Sequence, residues 1–82
     1  LFEKYIIGAI YEKDCTTLKE SHQFRVDRTG ITLVLEKGYS MWFVYDEPKD
    51  KAMRTSIVEN IEESDNGLWV YTENSVYRLD RI

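Results

Sequence analysis

The chain is poor in several residues that carry recognisable chemistry: one cysteine (Cys15), one histidine (His22), one proline (Pro48) and four glycines among 82 residues. A lone cysteine cannot close an internal disulfide, which favours a reducing, cytoplasmic setting. A zinc site normally draws four nitrogen or sulfur ligands, so Cys15 and His22 would need carboxylates or a second chain. No metal or cofactor is therefore expected. A Cys15–His22 nucleophile pair lacks a third, orienting group. No apolar run approaches the roughly eighteen residues of a membrane span, and no basic start marks a signal peptide. Nor is there a glycine-rich phosphate loop, a Ser–His–Asp set or a metal-binding DxD spacing. An excess of positive charge is also missing. The net charge is −4, with residues 1–28 balanced and the excess acid in residues 29–82. Phosphate neutralisation supplies most non-specific nucleic-acid affinity, so this balance disfavours DNA or RNA as a partner.

What is present is a globular composition, 43% hydrophobic and 13% aromatic, of a length that suits a single domain over residues 1–82. A chain this short buries only about 60–65% of its unfolded surface, so the core is modest. Because the sequence begins at Leu1 and not at Met, an N-terminal piece is expected to be lost or to lie outside the numbering. That alone does not indicate maturation.

The patterning is that of strands. Asp46-Glu47-Pro48-Lys49-Asp50-Lys51 reads as the one long loop, dividing the chain into two strand groups. Before it, Gln23–Asp27, Ile31–Glu36 and Tyr39–Tyr45 read as strands joined at Thr29-Gly30 and Lys37-Gly38. After it come Arg54–Glu62, Gly67–Thr72 and Ser75–Ile82, with Asn66-Gly67 as a type I′ hairpin signal. Lys4–Tyr11 reads as a further strand interrupted by Gly8, with a helix as the alternative. Thr17-Leu18-Lys19-Glu20 has capping-box spacing and predicts a short helical turn. The fold class is all-β: an antiparallel meander of six to seven strands, curled or closed into a small SH3-like barrel that protects its edges.

Face matching sets the register, because a slip of one residue turns every side chain over. With Glu73-Asn74 as a tip, Leu68 pairs with Leu79 and Val70 with Tyr77, while Trp69 opposes Arg78 and Tyr71 opposes Val76. The same reasoning along the chain gives an expected core of Phe24, Val26, Ile31, Leu33, Leu35, Trp42, Val44, Ile57, Ile61, Leu68, Val70, Tyr77 and Leu79. The opposite face then holds Trp69, Tyr71, Val76, Arg78, Val58, Val34, Met41 and Phe43, which is too apolar to be left to solvent. Either the N-terminal segment covers it or a partner does. The expected contact residues are Trp69, Tyr71, Arg78, Val76, Phe43 and Met41, with Arg78 over the Trp69 indole as a cation–π contact.

The segment from Arg54-Thr55-Ser56-Ile57-Val58 through Ile61, and then Gly67 to Leu79, resembles short uncharacterised proteins of phages, prophages and other mobile elements. In those chains T-S-x-V-x-x-I, a glycine turn and T-x-N-S-x-Y-x-L recur near the end. The resemblance implies a small accessory or host-interaction protein and transfers no catalytic residues. Carboxylates are plentiful at Glu59, Glu62, Glu63 and Asp65, but they flank a turn where solvated charge is the norm. The expectation is thus a non-catalytic module that binds a protein partner, or a second copy of itself, through its outer aromatic face. The alternative is a small barrel binding single-stranded nucleic acid with Trp69, Tyr71 and Arg78 beside Lys49, Lys51 and Arg54.

Overall fold

Six strands, β1 (Lys4–Tyr11), β2 (Thr29–Val34), β3 (Ser40–Tyr45), β4 (Ala52–Ser64), β5 (Gly67–Thr72) and β6 (Val76–Arg81), follow one another along the chain. Each pairs antiparallel with the next, and β6 returns to β1, so the sheet is a closed barrel without a free edge. Among the described residues the one helical element is a 3-10 helix, Glu20–Arg25, between β1 and β2. The computed structural model describes residues 3–47 and 51–82; half of the charged loop expected around Pro48, residues 48–50, lies outside them. Among the described residues no helix is long and apolar enough to cross a membrane.

Closure depends on a bulge in β1. Ile7 and Ile10 are three residues apart, so regular alternation would send them to opposite faces. The register shifts between Ile7 and Ala9, so Ile7 pairs with Leu79 and Ile10 with Tyr77, and both isoleucines are fully buried. Gly8 lies at the shift, where the ends of the Asp80 and Arg78 side chains fill the space a Cβ would enter. With β1 in place the interior is filled by Ile7, Ile10, Met41, Phe43, Met53, Val58, Val70, Tyr77 and Leu79.

The β5–β6 hairpin has the expected register: Leu68 with Leu79, Trp69 with Arg78, Val70 with Tyr77 and Tyr71 with Val76. The residues flanking its exposed tip, Thr72 and Ser75, are buried, and the tip is tied down from the β1–β2 connection. Lys19 Nζ donates to the Asn74 carbonyl and the Ser75 hydroxyl, each at 2.7 Å, and Lys13 Nζ donates to the Thr72 carbonyl at 2.7 Å. The preceding turn is Asp65-Asn66 instead of Asn66-Gly67, since Gly67 already pairs with Ser64.

Elsewhere the expected faces are exchanged. Met41 and Phe43 are fully buried, whereas Trp42, Leu33 and Phe24 are 40%, 54% and 68% exposed. Three local features cause this. First, Gln23–Asp27 is no strand: the chain turns at Asp27, whose φ of 70° lies in the left-handed region, and the preceding residues form the 3-10 helix. Second, Gly30 is not a turn residue but sits inside β2, where a Cβ would collide with the Val44 carbonyl and come within 2.9 Å of the Phe43 ring. That contact fixes Phe43 on the inner face. Third, a bulge between Val58 and Asn60 reverses the faces of β4, so that Val58 is buried and Ile57 is 38% exposed. The expected core members Val26, Ile31, Leu35, Val44 and Ile61 are only half-buried.

The expected capping box is not used. The helix begins at Glu20 with no side-chain cap, and the Thr17 hydroxyl turns back to donate to Asp14. Asp14 also accepts the Thr16 and Thr17 amides at 2.9 and 2.8 Å, and these bonds hold its carboxyl down at about 2.

The exchange of faces has a direct consequence for stability. Phe43→Ala should cost about 3–5 kcal/mol in urea unfolding. Trp42→Ala, on a larger but outward side chain, should cost less than about 1 kcal/mol. Equal costs would contradict the assigned faces.

Candidate functional site

The barrel presents two outer surfaces that could hold a partner, and they differ in how far their side chains already satisfy one another. The first lies across β5, β6 and β1. Tyr11, Val76 and Tyr71 stand in one row, and Ala9, Arg78 and Trp69 in the next. The Tyr11 ring stacks on the Trp69 indole at 5.7 Å between centroids, with 16° between their planes. Val76, the residue flanked by these rings, is fully buried and Trp69 is only half-exposed. Arg78 does not lie over the indole. Its guanidinium makes two hydrogen bonds to the Asp80 carboxylate, both at 3.2 Å. Below this pair, Ser64, Asp65, Asn66, Trp69, Arg78, Asp80 and Arg81 line an open groove of about 620 Å³. Arg81 is also committed, donating to Glu3 at 2.8 Å with Glu63 at 3.9 Å. Of the residues expected to contact a partner, Trp69, Tyr71 and Arg78 therefore share a face, Val76 lies beneath it, and Met41 and Phe43 belong to the core.

The Glu62 carboxylate stands beside the Tyr71 phenol. Hydrogen bonding to it, then burial and the like-charge cost of ionisation, raise the phenol to about 12.

The second surface is the outer face of β2, β3 and β4. Val34 pairs with Trp42 and Trp42 with Arg54. Leu33, Val34, Trp42 and Ile57 are 54%, 37%, 40% and 38% exposed on these adjoining strands, and Tyr39 is exposed at the β2–β3 turn. The Arg54 guanidinium lies 5.6 Å from the centre of the Trp42 ring. Of these, Leu33, Trp42 and Ile57 were expected inside, whereas Val34 was expected on the outer face. The signal that would have placed them correctly is Arg54: a cation on β4 cannot face the core, so its partner Trp42 cannot either.

Beside this face, where the 3-10 helix meets the β3–β4 pair, a groove of about 340 Å³ is lined by Phe24, Arg25, Arg28, Tyr45, Lys51, Ala52, Met53 and Arg54. Arg25 lies 5.3 Å from the Phe24 ring centre and Arg28 lies 5.6 Å from that of Tyr45. Burial raises the Tyr45 phenol pKa, and the two arginines oppose the rise. Arg25 Nη1 also donates to the Tyr77 hydroxyl at 3.4 Å, which joins the groove to the barrel interior. Among the described residues, no carboxylate lies within 4 Å of Arg25, Arg28, Lys51 or Arg54.

The set imagined for single-stranded nucleic acid is divided by this geometry. Lys51 and Arg54 belong to the second surface, and Trp69, Tyr71 and Arg78 to the first. Arg54 and Glu62, the latter paired with Trp69, are eight residues apart on β4, about 26 Å of extended strand. Lys49 lies outside the described residues. Cys15 occupies a turn with φ 66°, and His22 lies on the 3-10 helix beside the Ser21 hydroxyl at 3.0 Å. Among the described residues, no three His, Cys, Asp or Glu side chains gather in a way that could hold a metal ion.

Carbon-13 titration of the tyrosine rings should find Tyr71 ionising near pH 12, with Glu62→Gln returning it toward 10. The folded-state pKa lies above the unfolded value of 10, so this contribution to stability is intact below pH 10 and is lost as pH rises through 12. An unshifted Tyr71 would remove Glu62 from the account of this face. Compared with known proteins, the chain matches no protein-family model, no curated protein and no solved structure.

Proposed function

We propose that the chain is a non-catalytic interaction module that binds a protein partner through the outer face of β2, β3 and β4. The observation that carries this reading is the set of large apolar side chains, Leu33, Val34, Trp42 and Ile57, left in solvent on adjoining strands of a closed sheet. Large apolar side chains exposed together on adjoining strands are the kind of surface that protein partners use. The β5–β6 face, by contrast, is roofed by Tyr11, and its arginines are paired with carboxylates. The likeness of the C-terminal half to short mobile-element proteins adds the setting of an accessory or host-interaction protein.

Association through this face does not need the apolar side chains for folding. A Leu33→Ser, Ile57→Ser double variant should keep its thermal transition within a few degrees, because exposed substitutions usually change stability by no more than about 0.5 kcal/mol each. In capture from a lysate of the source cell, the wild type should retain a partner that the double variant loses. Retention by both would contradict this assignment of the surface. A native mass of twice the monomer, lost in the double variant, would make the partner a second copy.

A further inference from the structure

The groove beside this apolar face carries a charge pattern that specifies its occupant further. Resting on the reading of the β2–β4 face as a protein-binding surface, we propose that this groove is an anionic subsite that takes an acidic segment of the protein partner. The observation is a local reversal of charge. The whole chain is acidic at net −4, yet Arg25, Arg28, Lys51 and Arg54 converge on one groove. Among the described residues none of the four has a carboxylate within 4 Å, whereas Lys4, Lys13, Arg78 and Arg81 each have one. Cations left together in this way repel one another unless an anion arrives.

The aromatic rings set how that anion is met. Phe24, Tyr45 and Trp42 each hold one guanidinium at 5.3 to 5.6 Å. Arg25 and Arg28 each spend one Nη1 donor, on the Tyr77 hydroxyl at 3.4 Å and the Glu47 carbonyl at 3.3 Å, and a guanidinium has five donors, so others remain for the paired oxygens of a carboxylate. The rings hold the long side chains in place and reduce the entropy lost when an acid docks.

The neighbouring apolar residues decide between an acidic peptide and a polynucleotide. Leu33, Val34 and Ile57 are aliphatic and exposed. A peptide that alternates acids with apolar side chains satisfies both halves of the surface, whereas a nucleic-acid strand leaves the aliphatic half uncovered. A net charge of −4 also opposes the approach of a long polyanion more than that of a short acidic segment.

The test uses the full chain and three fluorescein-labelled probes of matched length: a peptide of glutamates interspersed with leucines, its glutamine counterpart, and oligothymidylate. In anisotropy titrations at low salt, the glutamate peptide should bind at least about tenfold more tightly than the glutamine peptide. The gap should close as salt is added, and Lys51→Gln with Arg54→Gln should reduce it several-fold. Arg25→Gln provides a second variant, with circular dichroism confirming that each remains folded. The side-chain Nε–H signals of Arg25, Arg28 and Arg54 should shift on addition of the glutamate peptide. Equal affinity for the two peptides, with loss of both on Leu33→Ser and Ile57→Ser, would overturn the anionic subsite and leave the protein-binding face standing. Failure of both peptides to bind would overturn the subsite and the face together. Tighter binding of oligothymidylate than of either peptide would overturn the subsite in favour of a nucleic-acid surface.

Discussion

The pairing of β1 with β6 is the interaction on which the rest of this molecule depends. Six short strands with apolar residues on both faces do not by themselves define an inside. Closing the sheet does so, and closing it requires Ile7 and Ile10 to point the same way although they are three residues apart. The bulge at Gly8 accomplishes this. The Arg78–Asp80 ion pair lies against this position, so one local feature couples the inner packing to the outer face. Once β1 is docked, Tyr11 comes to rest on Trp69, and part of the aromatic surface of the β5–β6 hairpin is covered from within the chain.

That covering moves the available surface to the other side of the barrel. With Met41 and Phe43 filling the interior, Trp42 and its partner Val34 face solvent, the register shift between Thr32 and Val34 leaves Leu33 there too, and Ile57 joins them beyond the β4 bulge. Charge follows the same division. On the β5–β6 side, Arg78 and Arg81 are matched to Asp80 and Glu3. On the β3–β4 side, three arginines lie near aromatic rings, and among the described residues none of them has a carboxylate partner. The two surfaces are built from similar residue types but differ in whether those residues already have partners.

The β5–β6 hairpin was legible in the sequence because its two faces differ. Leu68, Val70, Tyr77 and Leu79 contrast with Arg78 and Asp80, so only one register keeps charge out of the core. The first meander offers no such contrast. Ile31, Leu33, Trp42 and Val44 form one apolar set, and Met41, Phe43 and Tyr45 form another of similar size. Hydrophobic pattern cannot rank them. The choice is made by Gly30, which admits the Phe43 ring against the backbone, and by Arg54, which holds Trp42 outside. The bulge beside Asn60 was not legible because one added residue leaves the composition of a strand unchanged while reversing its faces. Trp69, Tyr71 and Arg78 were placed on the correct face, but the Tyr11 ring that stacks on Trp69 comes from the far end of the chain, beyond the reach of a hairpin register.

The central claim is that the β2–β4 face is open while the β5–β6 face is roofed, and each face carries one tryptophan. Acrylamide quenching of two single-tryptophan variants, Trp69→Phe and Trp42→Phe, reads both directly. The account predicts that the fluorescence of Trp42, the residue left in the first variant, is quenched readily. Trp69, left in the second, should be shielded by Tyr11, and Tyr11→Ser should remove the shielding. A readily quenched Trp69 beside a protected Trp42 would contradict the assignment of faces and the binding surface inferred from it.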